Sequence, residues 1–320
     1  MLKKSAVSAI DLGSNSIRLL CADLPDRPLN TMKVKSRKLM VARLAEGFEP
    51  DRYLIPSAMD RAVSALVELT SRIPGSHGEQ VHAVATGVVR EARNQKVFLD
   101  RLRQDLGIQA RVLTEDEEAE LTLLGVRSTS KDISMPLFVC DIGGGSTEFA
   151  FLSSDGQKAF RSIPIGAVRL QERFRLSAPL GKAEERELHD FIGRALEKIM
   201  SPFKGISSFV ATAGTPTTLA GIDQSLKIYD PLKVHGYGFS QMRLKEIFGQ
   251  LKDLDLKQRR QIPGLEAGRE DIIVPGLAIL LGVMEKFGCK SMIVSEGGLL
   301  EGVLAKIYQN ERGIIPQILL

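Results

Sequence analysis

Ile10-Asp11-Leu12-Gly13-Ser14-Asn15-Ser16 recurs 130 positions later as Cys140-Asp141-Ile142-Gly143-Gly144-Gly145-Ser146. Each copy follows a β-type run, Ala6 to Ile10 or Leu137 to Cys140, and precedes another, Ile17 to Cys21 or Thr147 to Leu152. Two apolar runs split by small polar residues predict strand, tight turn, strand. The chain therefore reads as a duplication, with one hairpin opening each half.

Outward from the hairpins, strands and helices alternate. Further β-type runs lie at Val81 to Ala85, Ala110 to Leu113, Ala159 to Ile163 and Phe209 to Ala213. Helical spacing runs through Ser57 to Ile73, where Met59, Ala62, Val63, Leu66, Val67 and Ile73 form a stripe and Ser57 with Asp60 resembles a capping box. Similar stripes fill Val97 to Leu106, Glu184 to Met200, Ser240 to Leu251 and Leu299 to Ile307. The expected class is α/β. An acidic segment, Glu115 to Glu120, lies just before the second hairpin, which places a hinge near Leu121 to Gly125. The expected domains are residues 1–123 and 124–320, with the last helical stretch, 298–309, able to pack on either.

A chain of 320 residues, 43% hydrophobic and 26% charged, supports a sizeable core. No apolar run reaches the roughly 18 residues of a membrane helix, and the start meets Asp11 before a signal-type core can form. A cytoplasmic protein is expected. Cys21, Cys140 and Cys289 are far apart, each in an apolar run, and read as reduced core thiols. A formal charge of +4 excludes a strongly basic polymer binder or membrane-surface protein. The cluster Lys33, Lys35, Arg37, Lys38 and Arg43 reads first as a solvated face.

In both hairpins glycine lets backbone N–H groups approach an anion, and serine and asparagine add short donors. One such turn is equally well explained by hairpin geometry. Two copies, each with an aspartate at a strand end, point to a polyanion and its metal. Asp11 and Asp141 are placed to hold Mg²⁺ or another divalent cation, directly or through water, and Glu148 follows in the second hairpin. Turn-stabilising aspartate is the alternative. Ala211 to Ala220, with Gly214 and Thr215 at its centre, reads either as a phosphate loop at a helix start or as a helix with threonine N-caps. Glu117 and Glu118 sit at a helix start, where acidic residues also suit the macrodipole. His77, His82, His189 and His235 have no ligand spacing, and Gly-x-Ser-x-Gly, Cys-x-x-Cys and Walker A patterns are absent, which argues against zinc chemistry and acyl transfer.

These residues resemble the exopolyphosphatase and guanosine pentaphosphate phosphohydrolase family, within the superfamily of actin, sugar kinases and heat-shock chaperone ATPases. Besides the hairpins, the resemblance runs through Arg43 to Gly47, Ala85 to Ala92, Glu117-Glu118-Ala119, Gly214-Thr215, Pro263 to Leu265, Pro275 to Ala278 and Glu301 to Leu304. It implies two ribonuclease-H-like domains around an inter-domain cleft, with Glu118 activating water. It implies that Asp141 and Glu148 hold Mg²⁺. Asp11, Gly13, Ser14, Asn15, Ser16, Arg90, Gly143, Gly144, Gly145, Ser146, Gly214, Thr215 and Arg269 are implied on the substrate side. Many members carry arginine two residues after the catalytic glutamate; here Glu120 stands there. The length resembles the short two-domain form.

The expected activity is Mg²⁺-dependent release of terminal orthophosphate from polyphosphate, guanosine pentaphosphate or both, a role tied to the stringent response. Expected partners are polyphosphate or guanosine penta- or tetraphosphate, with no DNA, RNA or membrane, and homodimerisation left open. Two rivals are a non-catalytic alarmone or polyphosphate sensor, and an ATP-dependent kinase or ATPase on the same fold.

Overall fold

The computed structural model describes residues 6–24, 30–71, 81–130, 133–200, 202 and 205–320; residues 1–5, Arg27, Ile73 and His77 lie outside them. The chain divides into two compact units, Met1–Lys131 with Gly297–Leu320, and Asp132–Glu296.

The first unit runs β1 (Ala6–Leu12), β2 (Ser16–Asp23), β3 (Thr31–Val41), α1 (Pro56–Thr70), β4 (Val81–Ala85), α2 (Gly87–Glu91), α3 (Gln95–Leu106), β5 (Ala110–Val112) and α4 (Glu115–Thr129). The second runs β6 (Leu137–Ile142), β7 (Thr147–Leu152), β8 (Lys158–Ile163), α5 (Ala167–Phe174), α6 (Lys182–Glu197), β9 (Ser208–Thr212), α7 (Gly214–Asp223), α8 (Pro231–Val234), β10 (Gly238–Ser240), α9 (Gln241–Lys252), α10 (Leu256–Arg259), α11 (Ile273–Phe287) and β11 (Ser291–Ser295). The chain then returns to the first unit with α12 (Leu299–Arg312) and β12 (Gln317–Leu319).

The two sheets have the same core order. In the first it is β12-β3-β2-β1-β4-β5, in the second β8-β7-β6-β9-β11-β10. In each, the opening strand is antiparallel to the second and parallel to the fourth, the ribonuclease-H-like pattern. The opening strands are buried along nearly their whole length, as apolar runs inside a two-faced sheet must be. In the second core Phe138 stacks with Phe149, Phe151 and Phe209, and Phe287 packs against this group at a tilt.

Several local expectations shift. α1 starts at Pro56 behind Ile55 with no side-chain cap, because proline at the first position already supplies the helical φ; the Ser57–Asp60 box is not formed. Its buried face is Ala58, Met59, Ala62, Ala65, Leu66 and Leu69, which turns Val67 outward at 49% exposure. The division expected after residue 123, and the hinge at Leu121 to Gly125, fall inside α4, which continues unbroken to Thr129. That segment is held by α12, where a Cβ on Gly125 would overlap the Gly298 carbonyl and one on Gly302 the Leu121 carbonyl. Backbone-to-backbone contact this close makes the two helices one packed layer.

Candidate active site

The two hairpin turns are built alike. Gly13 N–H donates to Ser16 O at 3.2 Å, and Gly143 N–H to Ser146 O at 3.0 Å. In the first turn the Asn15 and Ser14 carbonyls accept from the N–H groups of Ala42, Arg43 and Ala45. In the second, the Gly143 and Gly144 carbonyls accept from Ala167, Val168 and Arg169 at the start of α5. With its carbonyl side tied to the protein, each turn keeps its N–H side able to meet an anion. Close approach dictates glycine nearby: a Cβ on Gly166 would overlap Gly144, and Gly87, at φ +44°, packs on the Ser14 side chain.

Asp11 is 2% exposed, and its Oδ2 accepts from Arg18 Nε at 3.0 Å and Nη2 at 2.6 Å. Among the described residues, Asp11 Oδ1 and Asn15 Nδ2 are buried without a hydrogen-bond partner. Buried polar atoms of this kind call for a ligand or ordered water. Glu118, 7% exposed, lies in the first turn of α4. Arg90 Nη1 donates to Glu118 Oε2 at 2.7 Å and to the Leu113 carbonyl at 3.0 Å, so the arginine expected on phosphate also orients this carboxylate.

Glu117 has a different position. Its side chain closes a capping box with Thr114 and pairs with Arg111 at 2.6 Å. The Thr114 N–H and then Arg111 hold its carboxyl below the ordinary range. Glu120 is two positions beyond Glu118, about 200° around the helix, and is exposed. With Glu117, His82, Ile108 and Lys306 it lines a separate cavity of about 950 Å³. Glu120 therefore lies on the face of α4 turned away from Glu118.

In the second unit Asp141 and Glu148 are direct cross-strand partners of β6 and β7, both buried, and Ser162 Oγ donates to Glu148 Oε1 at 3.1 Å. Neighbouring carboxylates at a strand end provide the hard oxygen donors Mg²⁺ prefers. Among the described residues no group of three His, Cys, Asp or Glu side chains could hold a metal unaided. A cation that takes one or two carboxylates and completes its shell with water and phosphate oxygens fits this donor set.

The threonine-cap reading of α7 is not realised. Its N-cap is Ala213, at φ +72°, and no side chain caps the helix. A non-glycine residue held at positive φ marks a constrained backbone. The Arg269 guanidinium lies across Gly214 so closely that a Cβ there would overlap it, while Arg269 Nε donates to Glu266. Thr215 packs against Gly276 in the same way. The uncapped helix start thus has a cation beside it, the arrangement that favours an anion.

Residues 27–311 match the Ppx/GppA phosphatase family. The chain belongs to this family. It is 32% identical over 309 residues to exopolyphosphatase 2 of Mycobacterium tuberculosis, covering 93% of this chain and 97% of that protein. It is 31% identical over 312 residues to the bifunctional 3-dehydroquinate synthase/phosphatase of Fusobacterium nucleatum, covering 92% of this chain and 46% of that protein, so the chain spans about half the length of that relative. Among solved structures, a Ppx/GppA family member from Aquifex aeolicus has 30% identity and a TM-score of 0.80, covering 96% of this chain and 98% of that one. An exopolyphosphatase from Cytophaga hutchinsonii has 25% identity and a TM-score of 0.86, with the same coverage.

In this Ppx/GppA chain the first unit brings together Asp11, the Gly13 to Ser16 turn, Arg90 and Glu118. The second brings together Asp141, Glu148 and the Gly143 to Ser146 turn, and separately Gly214, Thr215 and Arg269. Two neighbouring side chains escaped the sequence reading. Arg18 was legible in principle, since a turn over Gly13 to Ser16 sets Asp11 opposite Arg18. Glu296 follows β11, and its link to Tyr229 across 67 positions has no local signal.

Proposed function

We propose that this Ppx/GppA chain is a phosphohydrolase that releases terminal orthophosphate from short polyphosphates and from the 5′ end of guanosine pentaphosphate. The observation that carries this reading is Glu118, a buried carboxylate oriented by Arg90 in the unit that also holds the Asp11 to Ser16 turn. Phosphate oxygens are taken by N–H groups of the Gly13 to Ser16 turn in the first unit, and by those of the Gly143 to Ser146 turn, with Gly214, Thr215 and Arg269, in the second. Glu118 accepts a proton from the attacking water, worth ~10²–10⁴-fold in rate. Asp141 and Glu148 would hold Mg²⁺, which when bound neutralises charge on the phosphoryl oxygens. Most of the acceleration comes from positioning.

Long chains are handled less processively, because few basic side chains extend the path. Of the basic cluster on β3, Lys35 pairs with Asp23 and Arg37 with Glu301. Orthophosphate release from short polyphosphate, long polyphosphate, guanosine pentaphosphate and ATP, each with and without Mg²⁺, tests the reading. Release from the first and third is expected. No release from any of them over hours, with binding intact, would instead favour a sensor.

A further inference from the structure

The segment from α10 to the start of α11 carries Arg269, and its backbone is packed directly on α7. A Cβ on Gly264, which sits at φ +89°, would overlap the Gly221 carbonyl, and one on Gly276 would overlap the Thr215 side chain. Both ends of the segment are therefore fixed against the helix beside it. Between them, Arg269 Nε donates to Glu266 while its two Nη atoms lie over Gly214.

The residues on either side of Arg269 are held from α10. Arg260 Nε donates to Glu270 Oε1 at 2.7 Å, and the same carboxylate accepts from the Gly268 N–H at 2.9 Å, which closes residues 268–270 into a tight loop. Arg259, 2% exposed, donates through Nη1 to the Glu270 carbonyl and through Nε to the Leu251 carbonyl of α9, each at 3.0 Å. One planar fork thus ties the neighbour of Arg269 to a second helix.

Stability alone does not account for an arginine at this place. Taking a guanidinium out of water is costly. Its two hydrogen bonds go to neutral carbonyls, and Nη2 is buried without a hydrogen-bond partner. Burial pulls the guanidinium below its ordinary range, an effect that the charges of Asp271 and Asp255 oppose. An apolar side chain of similar volume often packs as stably. What arginine adds is a rigid set of donors in one plane, which fixes the two carbonyls relative to each other.

We infer that Arg259 is a positioning residue of the phosphate site: by fixing the Glu270 carbonyl it sets where the Arg269 guanidinium stands over the start of α7, and so how tightly that helix start holds an anion. This rests on the proposed hydrolase reading for phosphate at Gly214 and Thr215.

A double-mutant cycle separates positioning from support of the fold. Calorimetry with the non-hydrolysable imido analogue of tripolyphosphate and Mg²⁺ compares the wild type with Arg259→Met, Arg269→Met and the double variant. Each single change is expected to weaken binding by ~10-fold, and the double variant to match Arg269→Met within about twofold. Support of the fold would act whether or not Arg269 is present. Losses that multiply, or either single variant binding like the wild type, therefore overturn the inference. Arg259→Lys keeps the charge but cannot span both carbonyls, and should lose roughly threefold with Arg269 present and nothing in the Arg269→Met background. If Arg259→Met fails to fold, Arg259→Lys decides, and an equal loss in both backgrounds, or no loss in either, is the refuting result. Orthophosphate release from tripolyphosphate by the wild type is read in parallel. Coupled binding without release would sink the hydrolase reading alone, whereas release with uncoupled losses would sink this inference alone.

Discussion

Arg90 Nη1 stands 2.7 Å from Glu118 Oε2, joining a five-residue helix to the first turn of α4. The same guanidinium holds the Leu113 carbonyl, so the carboxylate is oriented from the strand side as well as by its own helix. Glu117, next to it, is turned to Arg111 and to the cap at Thr114. The two acids at this helix start therefore have separate work. Glu118→Gln should lower kcat by ~10²–10⁴-fold while phosphate-chain binding stays largely intact, and Glu117→Gln should leave kcat within a few-fold. Steady-state rates with binding isotherms check this; the reverse ranking would move the base to Glu117.

Asp141→Asn should raise the Mg²⁺ concentration needed for half-maximal rate, and Glu148→Gln should act in the same direction, since each removes a charged oxygen donor from the cross-strand pair. Titrating Mg²⁺ against rate is the measurement. Curves that superimpose on the wild type would remove the residue concerned from the metal site.

Gly302→Ala should be among the more destabilising single-methyl changes in the chain, because the added carbon meets the Leu121 carbonyl and the helices must part. Overpacking of this kind costs ~1–3 kcal/mol. Gly193, inside α6, has open space around its Cβ position, so Gly193→Ala should stabilise by ~0.5–1 kcal/mol. Denaturant unfolding of the two variants should give opposite signs.

Arg37→Met should destabilise the first unit by ~1–3 kcal/mol, discounted from a fully buried pair because Arg37 is partly exposed. It leaves the buried Glu301 carboxylate with one oxygen still on the Gly298 N–H and the other without its 2.5 Å guanidinium partner. Unchanged stability would mean that Glu301 is satisfied by that helix-start bond alone.

The Cys289 thiol, pushed up to about 11 by burial, is protonated at neutral pH. At pH 8 about a hundredfold less thiolate is present than for an ordinary cysteine, so iodoacetamide should modify Cys289 correspondingly slowly, accelerating as pH approaches 11. Mass-spectrometric labelling rates across pH 7 to 11 are the check, and rapid labelling at pH 8 would contradict a buried neutral thiol.

The hairpins, the eight β-type runs and the duplication were legible because each depends on periodicity and turn chemistry within about ten residues. The same local reading found Asp11, Asp141 and Glu148 as candidates and left Glu117 and Glu118 side by side; the family resemblance singled out Glu118. It misplaced the α1 cap, since Ser57 and Asp60 match a capping pattern that Pro56 makes unnecessary. What the sequence by itself determined is the repeated strand-turn-strand with an aspartate before each glycine turn. Only the tertiary structure decided that residues 299–312 return to pack on α4, that β12 pairs with β3, that Arg37 is spent on Glu301, and that Glu120 faces away from Glu118. Those outcomes join residues up to nearly three hundred positions apart, and are set by how glycine-thinned helices and buried charges fit together rather than by any local period.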